Sequence, residues 1–291
     1  MDIALYEPLY RQGQILSDPD LLPFVLPDND RAAWRELRIL VDIHAEGLHR
    51  GARKTGLLSP KFALKSGLPI AAFAAFARQH PETDICILNP FPQLAYFSYN
   101  VWMQGEIAHP GLVSRTRALL AAAGVGLPVD LERRHPADRL CYSNFWVGTP
   151  DFWDDYVGGV LRPIARLLLS EPGHPAVRDV LEDTVHTDPS PFLPFVVERL
   201  LTTFLIERPD LSVASVPMDP SSACINPFEE EGLRFLRPRV DAAPAQGPFS
   251  ADLVETMEHL CRLRQLYFFA YYADRPHPHS GGPIRPDQNG V

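Results

Sequence analysis

Several of the commonest catalytic signatures are missing from this sequence. It contains no G-x-S-x-G, no P-loop and no G-x-G-x-x-G, the motifs that mark many serine hydrolases, NTPases and dinucleotide-binding enzymes. H-E-x-x-H is also absent, and His44 and His49 are five residues apart rather than at the i, i+4 spacing of a helical metal pair. The usual markers of these enzyme classes are therefore lacking.

Cysteine is scarce, and its spacing excludes the common zinc and redox motifs. The four cysteines, at positions 86, 141, 224 and 261, form no C-x-x-C pair. Cys86 and Cys141 fall in apolar, strand-like runs, where a free thiol packs as a small hydrophobic group. We therefore expect a reducing, cytoplasmic compartment.

Long apolar runs and a basic charge balance are lacking as well. No stretch approaches the roughly 18 uninterrupted apolar residues of a membrane-spanning helix. Met1–Tyr6 lacks the basic region of a secretory signal, so we expect no signal peptide, while peripheral association with a membrane stays open. The net charge of -9 argues against nucleic acid as the main partner, although it allows a local basic site for a phosphate.

The most informative stretch begins with an apolar and aromatic run, Cys141–Val147, which predicts a buried strand. A turn follows, and then Thr149 and Pro150 occupy the N-cap and first position of a predicted helix. Ser143 and Asn144 lie inside the predicted strand, where a buried polar group needs a partner. That partner is either a ligand or a neighbouring backbone amide.

Strands alternate with helices of irregular length along the chain. Thr83–Asn89 is apolar on both faces, which predicts a central strand, and its carboxyl end leads into a loop. Helices are predicted over Phe192–Glu207 and Ala251–Tyr272, among others. The pattern predicts a single α/β domain with a mostly parallel sheet over residues 1–274. Arg275–Val291, rich in Pro, Gly and His, is predicted to be a disordered tail.

Glu198 and Arg199 lie in the middle of an apolar helical segment. A carboxylate in such surroundings is either paired or available for chemistry. In one interpretation the two residues form an ion pair that anchors the helix. In the other, Glu198 points into a cleft and acts as a general base.

Two further groups are candidates for ligand binding. Ser59, Lys61 and Lys65 lie at a helix start after a strand, where backbone N–H groups and a lysine suit a phosphate. Two surface lysines and an ordinary helix cap would give the same sequence. A second group, formed by Trp102, Gln104, Glu106 and His109, combines aromatic and polar side chains, as the wall of a sugar site does. Helix packing explains Trp102 equally well.

Three pieces of the chain together resemble the glycosyltransferase-like proteins of bacterial capsule and O-antigen clusters. The resemblance spans about residues 3 to 218, and its motifs are short. The pieces are Gly56–Phe62 with Lys65–Gly67; Asp84–Phe91 followed by Trp102 and His109–Gly111; and Tyr142–Val147 with Phe152, Trp153 and Tyr156, completed by Glu198–Leu201. The last piece is similar to the Y-x-N-x-[FW] … E-R-L-L pattern of small GT-A-like transferases.

This resemblance implies a GT-A-like, Rossmann-like sheet with a sugar cleft at the strand ends. The amino-terminal strands would hold a nucleotide, while the Tyr142–Trp146 segment and the candidate catalytic residue Glu198 would face acceptor and donor sugar. The implied substrate-binding residues are Ser59, Lys61, Asn89, Trp102, Glu106, His109, Tyr142, Asn144, Trp146 and Arg199. GT-A enzymes usually carry Asp-x-Asp for a divalent metal after a central strand, but here the spacing occurs only in the early loop, at Asp18–Asp20 and Asp28–Asp30. No metal ligand is therefore assigned, and the need for a divalent metal stays open.

The leading hypothesis from the sequence is a glycosyltransferase of surface-polysaccharide assembly. It would transfer a sugar from a nucleotide-sugar donor to a hydroxyl of a saccharide acceptor, with Glu198 as the base if configuration is inverted. The alternative is a non-catalytic sugar- or nucleotide-binding module of the same machinery, in keeping with the missing Asp-x-Asp. A hydrolase lacks a paired-carboxylate or triad signature here.

Overall fold

The structure, a computed structural model, describes residues 1–26, 28–186, 190–245, 247–279 and 284. Its centre is a six-stranded β-sheet, which confirms the predicted α/β class with a mostly parallel sheet flanked by helices. In spatial order the strands are β2 (Leu22–Val25), β1 (Ile3–Leu9), β3 (Lys54–Leu57), β5 (Trp146–Gly148), β4 (Ile85–Ile87) and β8 (Val213–Ser215). A small antiparallel ribbon pairs β6 (Asp183–Thr184) with β7 (Ser190–Pro191).

Strand β5 runs against its neighbours in the six-stranded sheet. β1 pairs in parallel with β2 and β3, and β4 pairs in parallel with β8, whereas β5 is antiparallel to both β3 and β4. β5 therefore begins at the end of the sheet where β3 and β4 finish. The residues just before β5 consequently meet the loops that follow those strands, at the end where open α/β sheets bind their ligands.

Helices surround this sheet. They are α1 (Glu36–Ala45), α2 (Phe62–Ser66), α3 (Ile70–Gln79), α4 (Leu94–Phe97), α5 (Val101–Ala108), α6 (Leu112–Ala123), α7 (Pro150–Trp153), α8 (Arg162–Ser170), α9 (Pro175–Leu181), α10 (Phe192–Glu207), α11 (Pro227–Asp241) and α12 (Ala251–Tyr272). Between α7 and α8 the chain is wound as a π-helix, Asp154–Leu161. Of the helices in the described ranges, none combines the length and apolar character needed to cross a membrane.

Both faces of the sheet are buried, as predicted for its central strand. Ile85 and Ile87 of β4 pack into the larger core, which also holds the apolar faces of α1, α6, α8 and α10. Cys86, between them in the sequence, points to the opposite face and packs with Phe73 of α3 and Phe145. This alternation follows from the period of two along a strand, and it places helices on both sides of the sheet.

A third apolar cluster joins α11 and α12 to α4 and α5. Phe97 and Met103 contribute from α4 and α5, and Leu236 and Met257 from α11 and α12. These side chains are almost completely buried. The helix pair is thereby fixed beside the loop that follows β4, which places α12 next to the end of the sheet where β3 and β4 finish.

The prediction for Cys141–Val147 is confirmed only in its second half. β5 covers Trp146–Gly148, and Thr149 caps α7 as predicted, because its Oγ1 accepts a hydrogen bond from Phe152 N–H at 3.3 Å. The first half is a turn, since Ser143 and Asn144 have left-handed φ angles of 65° and 53°. The apolar composition of this segment does not predict the reversal of chain direction at Ser143 and Asn144. That turn is held by a contact with α10, which is distant in the sequence.

Candidate functional site

A cleft of about 450 Å³ opens at the end of the sheet where β3 and β4 finish and β5 begins. The loop after β3 brings lysines to it, and the segment after β4 brings aromatic and amide groups. Helices α10 and α12 complete its walls. Its lining includes Lys61, Lys65, Phe91, Gln93, His109, Tyr142, Asn144, Phe195, Glu198, Arg199, Arg264, Phe268, His277 and His279.

The turn before β5 holds the carboxylate of Glu198 in place. Ser143 N–H donates to Glu198 Oε1 at 2.7 Å, and Lys65 Nζ donates to Ser143 Oγ at 3.1 Å. The left-handed conformation of Ser143 and Asn144 directs this N–H toward α10, and consecutive non-glycine residues in that region are unusual. The Glu198 side chain is 23% exposed and lines the cleft, and the contact of its Oε2 is the longer one to Arg199 Nη1 at 3.6 Å.

Arg199 has a different position from its neighbour Glu198. Its guanidinium is 2% exposed and donates to Val101 O at 3.0 Å, to Phe195 O at 2.8 Å and to Gln104 Oε1 at 2.5 Å. The nearest Glu198 oxygen is 3.6 Å away. Gly105 lies directly against the guanidinium, where a Cβ would collide with Arg199 Nε and Cδ. Arg199 therefore fastens α10 to α5, and Glu198 is not its principal partner.

His109 enters the cleft as a neutral imidazole. Its ring is stacked on Phe195 with centroids 3.8 Å apart, and burial, with Arg199 nearby, lowers its pKa to about 2. Its Nδ1 lies 3.1 Å from the carbonyl oxygen of Val185, which can only accept, so Nδ1 carries the proton. The other ring nitrogen, Nε2, is consequently an acceptor.

Two buried amide oxygens at the cleft have no hydrogen-bond partner. Gln93 is fully buried, and its Nε2 donates to Glu229 Oε2 at 3.4 Å. Because a carboxylate accepts from nitrogen rather than oxygen, this contact fixes the amide and leaves Gln93 Oε1 without a donor. Asn144 Oδ1 is also buried and without a donor. A ligand with hydroxyl or N–H groups would satisfy both atoms.

The structure brings six of the predicted site residues together: Lys61, His109, Tyr142, Asn144, Glu198 and Arg199. Two others, Trp102 and Glu106, are engaged in the helices and turns around the cleft. Trp102 is fully buried and donates to Thr203 Oγ1 at 3.0 Å. Glu106 accepts from Gly111 N–H and Val113 N–H at 2.7 and 2.8 Å, which closes the start of α6.

The remaining predicted residues also lie away from the cleft lining. Ser59 Oγ accepts from Lys61 N–H at 3.2 Å, and Asn89 Oδ1 accepts from Phe91 N–H at 3.0 Å, so both stabilise local turns. Trp146 is fully buried in the core beneath the sheet. Roles in ligand binding for these residues stay predictions that their positions do not favour.

Part of the predicted tail contributes to the cleft. Residues 275–279 and 284 are described, and the rest of Arg275–Val291 lies outside the described residues. His277 packs on Phe268 and Tyr272, with ring centroids 5.3 and 4.8 Å apart, and His279 contacts Phe91. Ile284 is 2% exposed, and its N–H donates to Tyr272 O at 2.8 Å. These residues therefore belong to the folded surface around the site.

The sequence did not indicate Arg264, the contact of Gln93 with Glu229, or the hydrogen bond from Lys65 to Ser143. Arg264 lies on α12 and is paired with the fully buried Glu229 of α11. The start of α11 carried a usable signal, since Asn226 precedes a proline and two glutamates, the pattern of an N-cap with an acidic first turn. Nothing in the spacing indicates that α11 and α12 meet Gln93.

Away from the cleft, three potential metal ligands converge among the described residues. His44 Nε2 and His49 Nε2 lie 3.0 and 3.2 Å from Asp154 Oδ1, and Arg50 binds Asp154 Oδ2 at 2.5 Å. The two imidazole rings are stacked, with centroids 4.6 Å apart and planes 6° from parallel. An imidazole binds a metal within its own ring plane, so one ion cannot lie in both separated planes. Hydrogen bonds and the Arg50 ion pair account for this cluster.

Comparison with known proteins gives no family for this cleft. The chain matches no family model, no curated protein and no solved structure.

Proposed function

We propose that this chain is a glycosyltransferase that uses a nucleotide-sugar donor and a saccharide acceptor in bacterial surface-polysaccharide biosynthesis. The observation that carries the proposal is the half-open carboxylate of Glu198. One of its oxygens is held by Ser143 N–H, and the side chain keeps 23% exposure toward a cleft at the ligand-binding end of the sheet. A fixed carboxylate with a free oxygen is suited to accept a proton from a sugar hydroxyl.

The cleft offers what a sugar needs. The unsatisfied oxygens of Gln93 and Asn144 require donors, which sugar hydroxyl groups supply. The rings of Phe91, Phe195 and Phe268 provide flat apolar surfaces among these polar groups. A site that combines buried acceptors with aromatic faces matches the alternating polar and apolar faces of a pyranose.

The charge of the lining favours an anionic donor. Cations outnumber carboxylates among the lining residues: Arg35, Lys61, Lys65, Arg199 and Arg264 stand against Glu36 and Glu198. This balance is the reverse of that of the whole chain, whose net charge is -9. Lys61 and Lys65 are therefore the groups we assign to the diphosphate.

In the proposed reaction an acceptor hydroxyl attacks the anomeric carbon of the donor sugar. Glu198 takes the hydroxyl proton, the new glycosidic C–O bond forms, and the bond to the nucleoside diphosphate breaks. The leaving diphosphate keeps the bonding electron pair, and Lys61 and Lys65 stabilise its charge. A direct displacement of this kind inverts the configuration of the anomeric carbon.

A non-catalytic sugar- or nucleotide-binding module is the second candidate. It is favoured by the absence of Asp-x-Asp after a central strand, because GT-A enzymes usually hold their metal with that motif. Both candidates use the same cleft and the same ligand class. They differ in whether Glu198 is needed for turnover or only for the shape of the site.

The proposal is tested by a thermal-shift screen of nucleotide sugars, with and without manganese, followed by transfer assays on each compound that stabilises the protein. We expect at least one nucleotide sugar to raise Tm, and Glu198→Gln to bind it while losing transfer. Binding without transfer by the parent protein would favour the binding module. The absence of any shift across the panel would contradict both candidates.

A further inference from the structure

A buried carboxylate on α11 fixes one arginine of the cleft. Glu229 is fully buried, and its Oε1 accepts from Arg264 Nε at 2.7 Å and lies 2.6 Å from Arg264 Nη2 in the same ion pair. Its Oε2 accepts from Ile225 N–H at 3.0 Å and from Gln93 Nε2 at 3.4 Å. Both oxygens are thus fully occupied, and the guanidinium cannot rotate without leaving a buried charge unpaired.

This arrangement leaves one end of the guanidinium free. Arg264 uses Nε and Nη2 for Glu229, and its side chain is 11% exposed where it lines the cleft. Nη1 is the guanidinium nitrogen that Glu229 does not engage, on a residue that lines the cleft. Gln93, whose Nε2 donates to the same carboxylate, lines the same cleft and has its Oε1 unsatisfied. Anchoring by Glu229 pre-organises both groups, which reduces the entropy lost when a ligand binds.

Arg264 and the lysines reach the cleft from separate parts of the fold. Lys61 and Lys65 belong to the segment around α2, which packs on the sheet through Phe62. Arg264 belongs to the α11–α12 pair, which packs on α4 and α5. A ligand that lies across the cleft therefore meets cationic groups supplied by two independent elements.

We propose that Arg264 is a specificity-determining residue that binds an anionic substituent on the sugar ligand, a carboxylate as in a uronic acid or a phosphate ester. This proposal depends on the proposed function only as far as the transfer reaction is concerned. Recognition of an acidic sugar by Arg264 does not require turnover. Arg264 Nη1 donates to the anionic group, and Gln93 Oε1 accepts from a neighbouring hydroxyl. A neutral sugar gives Nη1 no anionic group to bind, while the pair between Arg264 and Glu229 stays in place.

The test uses free sugars, so that its result is independent of nucleotide binding and transfer. Dissociation constants of D-glucuronate, D-glucose 6-phosphate and D-glucose are measured by ligand-observed NMR on the full chain at low salt. We expect one of the anionic sugars to bind about 10- to 100-fold more tightly than glucose, the range of a charge-assisted hydrogen bond. The anion with the larger preference identifies the substituent.

The variants are chosen to avoid an unpaired buried charge. The double variant Glu229→Gln/Arg264→Gln removes both charges together. Arg264→Lys keeps the positive charge but loses the planar set of N–H donors of the guanidinium. Arg262→Gln is the matched control, because Arg262 lies on the same helix, is 63% exposed on its side chain and pairs with Glu258.

We expect the double variant to abolish the preference for the anionic sugar, and any loss of affinity caused by the weaker hold on Gln93 to affect glucose and the anionic sugars equally. Arg264→Lys should retain part of the preference, and Arg262→Gln all of it. An unchanged preference in the folded double variant, or equal binding of all three sugars by the parent, would overturn the assignment. If nucleotide sugars fail to bind but the preference for an anionic sugar depends on Arg264, the proposed function fails and this inference stands.

Discussion

Two carboxylates of this molecule, Asp154 and Glu198, both have arginine neighbours, yet they differ in what remains for a ligand. Asp154 accepts from His44, His49 and Arg50, so both of its oxygens are engaged by the protein. Glu198 accepts one close hydrogen bond, from Ser143 N–H, and its other oxygen has only Arg199 at 3.6 Å. A saturated carboxylate stabilises the fold, whereas one with a free oxygen in a cleft can serve chemistry.

The largest expected effect is on turnover at Glu198. Glu198→Gln keeps the shape and can still accept from Ser143 N–H, but it no longer takes up a proton. Transfer should fall by about 100- to 10,000-fold, the usual contribution of a general base, with little change in Tm. Asp154→Asn should leave transfer per folded molecule unchanged, because Asp154 lies outside the cleft lining. Comparable losses in both variants would remove the distinction between the two carboxylates.

The second effect concerns pH, through His109 at the cleft and His44 at the cluster. Burial, with Arg199 nearby as a further cause, lowers the pKa of His109 to about 2. Burial also lowers the pKa of His44, with His49 as a further cause. The unfolded chain, with a histidine pKa near 6.5, then binds more protons than the folded one, so stability is lost as pH falls below about 6.5. For His109 the loss is about 1.4 kcal/mol per pH unit and continues toward pH 2.

This pH effect is measured by urea unfolding at pH 7.5, 6.5 and 5.5. His109→Asn, whose amide can replace the Nδ1–H bond to Val185, should flatten the dependence more than His44→Asn does. The same slope in His109→Asn and in the parent would show that His109 is not the buried neutral group.

The third effect separates the two carboxylates by stability. Asp154→Asn removes the charge that holds Arg50 and the two histidines, and it should cost about 1–2 kcal/mol, a value reduced by the partial exposure of the site. Hydrogen-bond donors lower the pKa of Asp154 against the opposing effect of burial, so this contribution is present at neutral pH and is lost as pH falls through that lowered pKa. A fall of several degrees in Tm for Asp154→Asn, against a negligible fall for Glu198→Gln, is the expected result. Equal changes would contradict it.

The smallest effect is electrostatic. Lys61→Ala should weaken binding of a nucleoside diphosphate several-fold, and more strongly at low than at high salt, because Lys61 is exposed and its interactions are screened. Titration calorimetry at two salt concentrations measures this dependence, with Arg53→Ala as an exposed control outside the cleft lining. Equal affinity of the parent and Lys61→Ala for the nucleoside diphosphate at low salt would show that Lys61 does not contact it.

How far the sequence anticipates the structure depends on whether local or distant contacts decide each element. Phe192–Glu207 and Ala251–Tyr272 are helices at the predicted residues, because their apolar spacing and the Ser250 cap act within the segment itself. α11 was not predicted, although its Asn226 cap was visible, because the helix is charge-rich and contains a proline. β2 lies in a part of the chain for which no strand is predicted, and it is held as a strand by pairing with β1.

The site shows the same limit. Glu198, Tyr142 and Asn144 could be found because polar residues stand out in apolar runs. The turn that joins them could not, because Glu198 lies 55 residues from Ser143 in the chain. Gln93 and Glu229 are 136 residues apart, and their contact exists only after α11 has packed beside the loop that follows β4. Contacts of this kind are decided by tertiary packing, which a single sequence does not display.

The most direct test of the account is hydrogen–deuterium exchange with and without the nucleotide sugar that gives the largest thermal shift. We expect the ligand to slow exchange in residues 141–145 and 192–199, whose backbone surrounds Glu198. The exchange rates of residues 44–50 and 154–161 should stay unchanged. Protection confined to the His44–Asp154 cluster, or no protection in either region at saturating ligand, would contradict the claim that the half-open carboxylate marks the functional site.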